Sequence, residues 1–163
     1  MAAGSTYSPI ATTTLGSAAS TITVSSIPST YTDIVLVFRG GTTANTGLYV
    51  QFNGDTGTNY SNTKMYGYGS GYGSSRSTNQ IKGDIGGAWS TNADVIILNL
   101  QNYSNTSTYK TMLVRQSDAN DTVTAGVVLW RSTSAINQIV FLNDSTTFAA
   151  GTNVTLYGIL SAT

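Results

Sequence analysis

At 163 residues the chain has the size of one domain, and a compact chain of that length buries about 70% of the surface its unfolded form exposes, enough for one core without covalent staples. It has no cysteine and no histidine, which removes disulfides, thiolate and imidazole metal ligands and the usual general base. Seven basic residues balance seven acidic ones, all aspartate, and only 9% of the chain is charged, against about 25% in an ordinary soluble domain. Nucleic-acid or membrane binding driven by basic excess is thereby disfavoured, while a surface of hydroxyls and amides suits a protein packed among other subunits.

Ser, Thr, Asn and Gly, which avoid helix interiors, fill the chain between short aliphatic runs, and this predicts an all-β protein. The opening residues are the least patterned and are expected to form an extended N-terminal arm over 1–18, ordered by assembly, before a single β-sandwich domain over 19–163. Alternation of apolar and polar residues predicts strands near 6–14, 20–25, 31–39, 47–53, 79–85, 93–101, 108–116, 122–131, 135–142 and 152–160. Breakers separate them at Ile27-Pro28, Gly40-Gly41, Asn53-Gly54, the glycine-rich stretch 67–74, Gly86-Gly87, 102–107, 118–121, Asn143-Asp144 and Gly151. Strands at this spacing, with no helix-period segment, point to an antiparallel two-sheet sandwich, jelly-roll-like. Val35, Val37, Ile97, Leu113, Val127, Leu129, Ile139, Phe141 and Leu156 are expected in the core, and Trp130 in the core or an interface. The apolar runs at 34–38 and 127–130 fall far short of the ~20 residues that span a bilayer, and "MAAGSTYSPIATTTLGS" has neither region of a secretory signal.

Asp55-Thr56-Gly57 spells the tripeptide that carries the catalytic aspartate of aspartic proteases. That chemistry needs a buried Asp after an apolar strand, sharing one proton with a second Asp. Here Asp55 follows Asn53-Gly54, a dipeptide suited to the positive φ angles of a two-residue hairpin turn, so a turn is expected. A glycosidase would need two carboxylates. Asp118 with Asp121, or Asp84 with Asp94 on either side of Trp89, supply the residue types, but Asp-Ala-Asn-Asp is also ordinary turn chemistry. No aspartate spacing matches a calcium loop, and no metal or cofactor is expected.

"MYGYGSGYGSSR", residues 65–76, reads as a long loop. Tyr66, Tyr68 and Tyr72 between glycines and serines have the composition of a contact surface, for a neighbouring subunit or a glycan, or else cover the sandwich edge. The glycine spacing fits neither phosphate-binding pattern. Trp89 is a second candidate for stacking on a sugar. Arg39, Arg115 and Arg131 each end an apolar run and are candidate anchors for a neighbour's carboxylates or carbonyls; solubilising strand ends are the plain alternative.

"SIPSTYTDIVLVFRG" (26–40), "LYVQFNGDTGTNYS" (48–61) and "WRSTSAINQIVFLNDSTTFAAGTNVTLYGI" (130–159) together resemble the small β-sandwich virion proteins of tailed bacteriophages. The resemblance covers most of the chain and rests on an Ile-Pro-x-x-Tyr-x-x-Ile entry to a strand, an Asn-Gly-Asp hairpin and a closing Thr-Leu-Tyr-Gly-Ile strand. It implies a capsid or tail component found in the virion, without catalysis. The expectation is a decoration (cement) protein, a homotrimer seated on the major capsid protein, assembled in the host cytoplasm. The alternative is a fibre or receptor-binding tip that recognises host surface polysaccharide.

Overall fold

The computed structural model describes residues 6–86, 94–118 and 122–160. Among the described residues there are twelve strands and no helix. They are β1 (Ser8–Thr14), β2 (Thr21–Val24), β3 (Asp33–Gly40), β4 (Leu48–Phe52), β5 (Tyr60–Tyr68), β6 (Gly71–Gln80), β7 (Gly83–Asp84), β8 (Asp94–Gln101), β9 (Lys110–Ser117), β10 (Thr122–Trp130), β11 (Ile139–Asn143) and β12 (Asn153–Ile159). Every pairing is antiparallel. Eight strands form one sheet in the order β1-β12-β3-β8-β9-β10-β5-β6, and four form the other in the order β2-β11-β4-β7. The chain crosses between the sheets repeatedly, giving the expected jelly-roll-like sandwich with unequal layers. β1, within the stretch read as an arm, pairs with β12 along the edge of the large sheet.

The core lies between the sheets. Ile34, Leu36 and Phe38 of β3 and Ile96, Leu98 and Leu100 of β8 meet Val50, Phe52, Ile139 and Phe141 from the small sheet. Aromatic side chains fill both ends: Phe38 lies 5.0 Å from Phe141 and 5.7 Å from Phe148, while Phe52, Tyr60 and Trp130 contact one another at 5.5 to 6.5 Å. Lys110 is buried beside them because its ammonium donates to the carbonyls of Thr108 and Thr133.

Three sequence expectations about the elements need correction. The stretch 65–76 is not a loop: β5 and β6 form a hairpin closed at Gly69-Ser70, with Gly69 at φ +51°, and Tyr68 faces Gly71 across it. The strand expected near 79–85 is instead the end of β6, a bend, and the short β7. The Asn53-Gly54 turn has the expected backbone, φ +52° and +71°, with the Asp55 N–H donating to the Phe52 carbonyl at 2.9 Å. It does not close a hairpin, however, because β4 lies in the small sheet and β5 in the large one.

Six of the nine residues expected in the core are not there. Ile139, Phe141 and Leu156 are buried between the sheets. Leu113 and Val127 are 46% and 38% exposed, and Val37, Ile97 and Leu129 are half-buried on the outer side of the large sheet. Val35 is buried but stands outside the core cluster, on the same outer side near Tyr7 and Tyr157. Side chains alternate along a strand, so once Leu36 points inward Val35 and Val37 must point outward.

Candidate interaction surface

The outer face of the large sheet is built by register. One row across it runs Tyr157, Val35, Asn99, Leu113, Val127 and Thr63; the next runs Thr155, Val37, Ile97, Arg115, Ala125 and Met65. Val95 and Val123 continue it towards one end. Six strands about 4.8 Å apart and about six residues at ~3.3 Å each give a face of roughly 500 Å², on which Asn99, Arg115, Thr63 and Thr155 interrupt the apolar side chains. Strands apolar on both faces normally belong to sheets covered on both sides. Within the described residues, nothing covers this face beyond Tyr7, whose ring meets Tyr157 edge-on at 6.1 Å.

All four arginines of the chain sit on it. Arg115 stands at mid-face between Ile97 and Ala125. Arg39 lies on β3 beside Val95, Arg76 on β6 opposite Thr63, and Arg131 just past β10, where its guanidinium donates to the Ser61 hydroxyl. Sequence reasoning placed Arg39, Arg115 and Arg131 at strand ends as anchors; the structure brings them onto one face and adds Arg76. Arg76 was missed because its strand was read as a loop, although period-two alternation within it was the available signal. Asn99 Oδ1 and Arg131 Nη1, both on this face, are buried atoms without a hydrogen-bond partner in the chain. Such atoms are uncommon in native proteins.

The tyrosines divide. Tyr66 and Tyr68 stack on each other at 6.1 Å on the inner side of the β5–β6 hairpin, over Gly73 and Gly71, whose added Cβ atoms would meet those rings at 2.8 and 2.9 Å. Tyr72 points the opposite way, in the row of Val123, and is 89% exposed. They are therefore not one contact surface. Trp89 and Asp121 lie outside the described residues.

The carboxylates considered for catalysis have structural partners. Asp55 accepts from Trp130 Nε1 at 2.6 Å, Asn59 Nδ2 at 2.9 Å and the Gly57 N–H at 2.8 Å, which ties the turn after β4 to the end of β10. Burial pushes its pKa up, but these donors outweigh burial and hold it below the ordinary carboxylate value. Asp84 pairs with Lys64 at 2.6 Å, and Asp94 is buried at the start of β8. Asp118 flanks the β9–β10 turn, its N–H donating to Thr122. Asp144 pairs with Lys82 at 2.6 Å and accepts from the Tyr49 hydroxyl, and these hydrogen bonds overcome burial to lower its pKa. Among the described residues no three acidic side chains gather as a metal site would require.

No protein-family model matches the chain, and no curated protein matches it. Among solved structures, a tetrameric galectin from the ball sponge Cinachyrella sp. is similar at a TM-score of 0.35 and 10% identity, the match covering 85% of this chain and 99% of that one.

Proposed function

We propose that this chain is a structural subunit of a tailed-bacteriophage particle, a decoration protein that binds the head lattice and stabilises it by non-covalent contacts. The observation that carries the reading is the outer face of the large sheet: apolar in the middle, bearing all four arginines, and suited to burial against another protein. The resemblance of residues 26–40, 48–61 and 130–159 to small virion proteins supplies the setting. Such a protein acts by binding, not by catalysis. A face of roughly 500 Å² buried against an equal area of a partner gives about 1,000 Å² in total, the lower limit for a specific interface, and repetition over a lattice multiplies each contact. The test is co-sedimentation of the purified chain with heads of its phage that lack it. Saturable binding at lattice stoichiometry is expected; no binding to heads, with binding to host cells, would overturn the reading.

A second reading has its own observation. The Tyr66–Tyr68 stack, with Tyr68 exposed and Tyr66 half-buried, is a flat aromatic platform of the kind that packs on a sugar ring, as a receptor-binding tip would need. If that holds, Tyr68→Ala abolishes cell binding and leaves head binding intact.

A further inference from the structure

We infer that the outer face of the large sheet docks a different polypeptide whose surface is apolar at its centre and carries carboxylates opposite the arginines, and not a second copy of this chain. The inference rests on the docking reading above and adds the chemistry of the partner. Charge distribution decides between the two occupants. A second copy laid face to face would set four arginines against four, with Arg115 near the middle of each patch. Desolvating like charges in that way is strongly unfavourable. On the same face, one aspartate, Asp33, is already engaged by the Asn102 N–H at 2.7 Å.

A second copy docked head to tail would need an acidic face to meet the arginines. The described aspartates do not make one. Asp84 and Asp144 are neutralised by Lys64 and Lys82 at 2.6 Å each, Asp55 is consumed by its three donors and Asp94 is buried, which leaves the half-buried Asp118 past the end of β9 as a single carboxylate against four arginines. The asymmetry is systematic: the lysines are paired or buried away from this face, while the arginines stand on it. Arginine suits the role because its planar guanidinium holds a carboxylate through two hydrogen bonds and sheds water more readily than an ammonium. The layout has the anatomy of a heterologous interface: an apolar centre around Leu113, Val127 and Ile97, one central anchor in Arg115, and a rim of Arg39, Arg76 and Arg131.

Photo-cross-linking in the host cell that produces the chain tests this. Benzoylphenylalanine is placed in turn at Leu113, at Ala125 and, as a control, at Thr23 on the exposed side of β2. The expected result is a cross-link from Leu113 and Ala125 to a different polypeptide, within a segment carrying Asp or Glu beside apolar residues. Adding Arg115→Asp should lower its yield about tenfold, Arg115→Lys should keep most of it, and Arg39→Asp at the rim should give a smaller loss. Cross-links to a second copy, to a segment without carboxylates, or to no protein would overturn the inference, as would a yield indifferent to Arg115→Asp. A cross-link of the expected kind to a protein that is not part of the head keeps this inference and sinks the decoration reading, so the two fail separately.

Discussion

Single residues explain how a sequence that spells a protease motif makes a joint. Asp55 binds the indole of Trp130, which is only 2% exposed, and so locks the chain where it leaves the small sheet for the large one. In Asp55→Ala the buried indole N–H loses its acceptor, and unfolding in urea should show a loss of about 2–3 kcal/mol. The pH dependence follows from the lowered pKa. The folded state binds the Asp55 proton less readily than the unfolded chain, so its contribution is present above the ordinary carboxylate pKa of about 3.9 and is lost as pH falls through the lowered value. Urea titrations from neutral to acid pH should therefore give a shallower acid limb for Asp55→Asn than for the parent. At the alkaline end, burial pushes the Tyr60 pKa up to about 12 and raises those of Tyr103 and Tyr49. Their share of stability is complete below about pH 10 and is lost as pH rises through the raised values. A tyrosinate absorbance titration should show a late, cooperative component that coincides with unfolding. Tyr60→Phe removes part of it and, by depriving the Phe52 N–H of its acceptor, costs about 1–3 kcal/mol.

At the scale of elements, the β5–β6 hairpin marks where sequence patterning misleads. Glycine and serine at alternate positions read as a loop because neither favours a strand, yet Tyr66 and Tyr68 lie across the glycines of the neighbouring strand and shield its backbone. The tyrosine-glycine alternation was a strand signal with the aromatic and the small residue placed on facing strands. Glycine has a different task at β7. Gly83 is buried where β7 passes under β10, and a Cβ there would stand 2.4 Å from Val128 Cγ1 and 3.3 Å from Val50 Cγ2. Both neighbours are in the core and have no room to retreat. Gly83→Ala should destabilise by about 1–3 kcal/mol through overpacking, read as a lowered urea midpoint with unchanged slope.

For the whole molecule, the middle strands of the large sheet carry apolar residues on both sides, but only one side is a core. That distinction can be measured. Leu98→Ala, at a fully buried position between the sheets, should cost about 2–5 kcal/mol of unfolding free energy. Leu113→Ser, on the adjacent strand but 46% exposed, should change it by less than about 1 kcal/mol while weakening attachment to the partner. Equal losses from the two would mean that the outer face is closed within the chain itself.

What the sequence by itself determined was the layer architecture and most of the strands. Period-two alternation, the scarcity of charged helix-forming residues and the turn residues are local properties, and they act through the backbone before any tertiary contact forms. The positive φ angles at Asn53-Gly54 belong to the same class. Only the tertiary structure decided which face of each strand is the core. In β3 and β8 both faces carry aliphatic residues, and in β10 the outward Val123, Ala125, Val127 and Leu129 are more aliphatic than the inward Thr124, Gly126, Val128 and Trp130, so residue type does not tell Val35 from Leu36 or Val127 from Val128, and the choice falls to whichever set the small sheet covers. The same choice gathered Arg39, Arg76, Arg115 and Arg131, far apart in sequence, onto one surface, because antiparallel register aligns residues by parity and not by proximity along the chain.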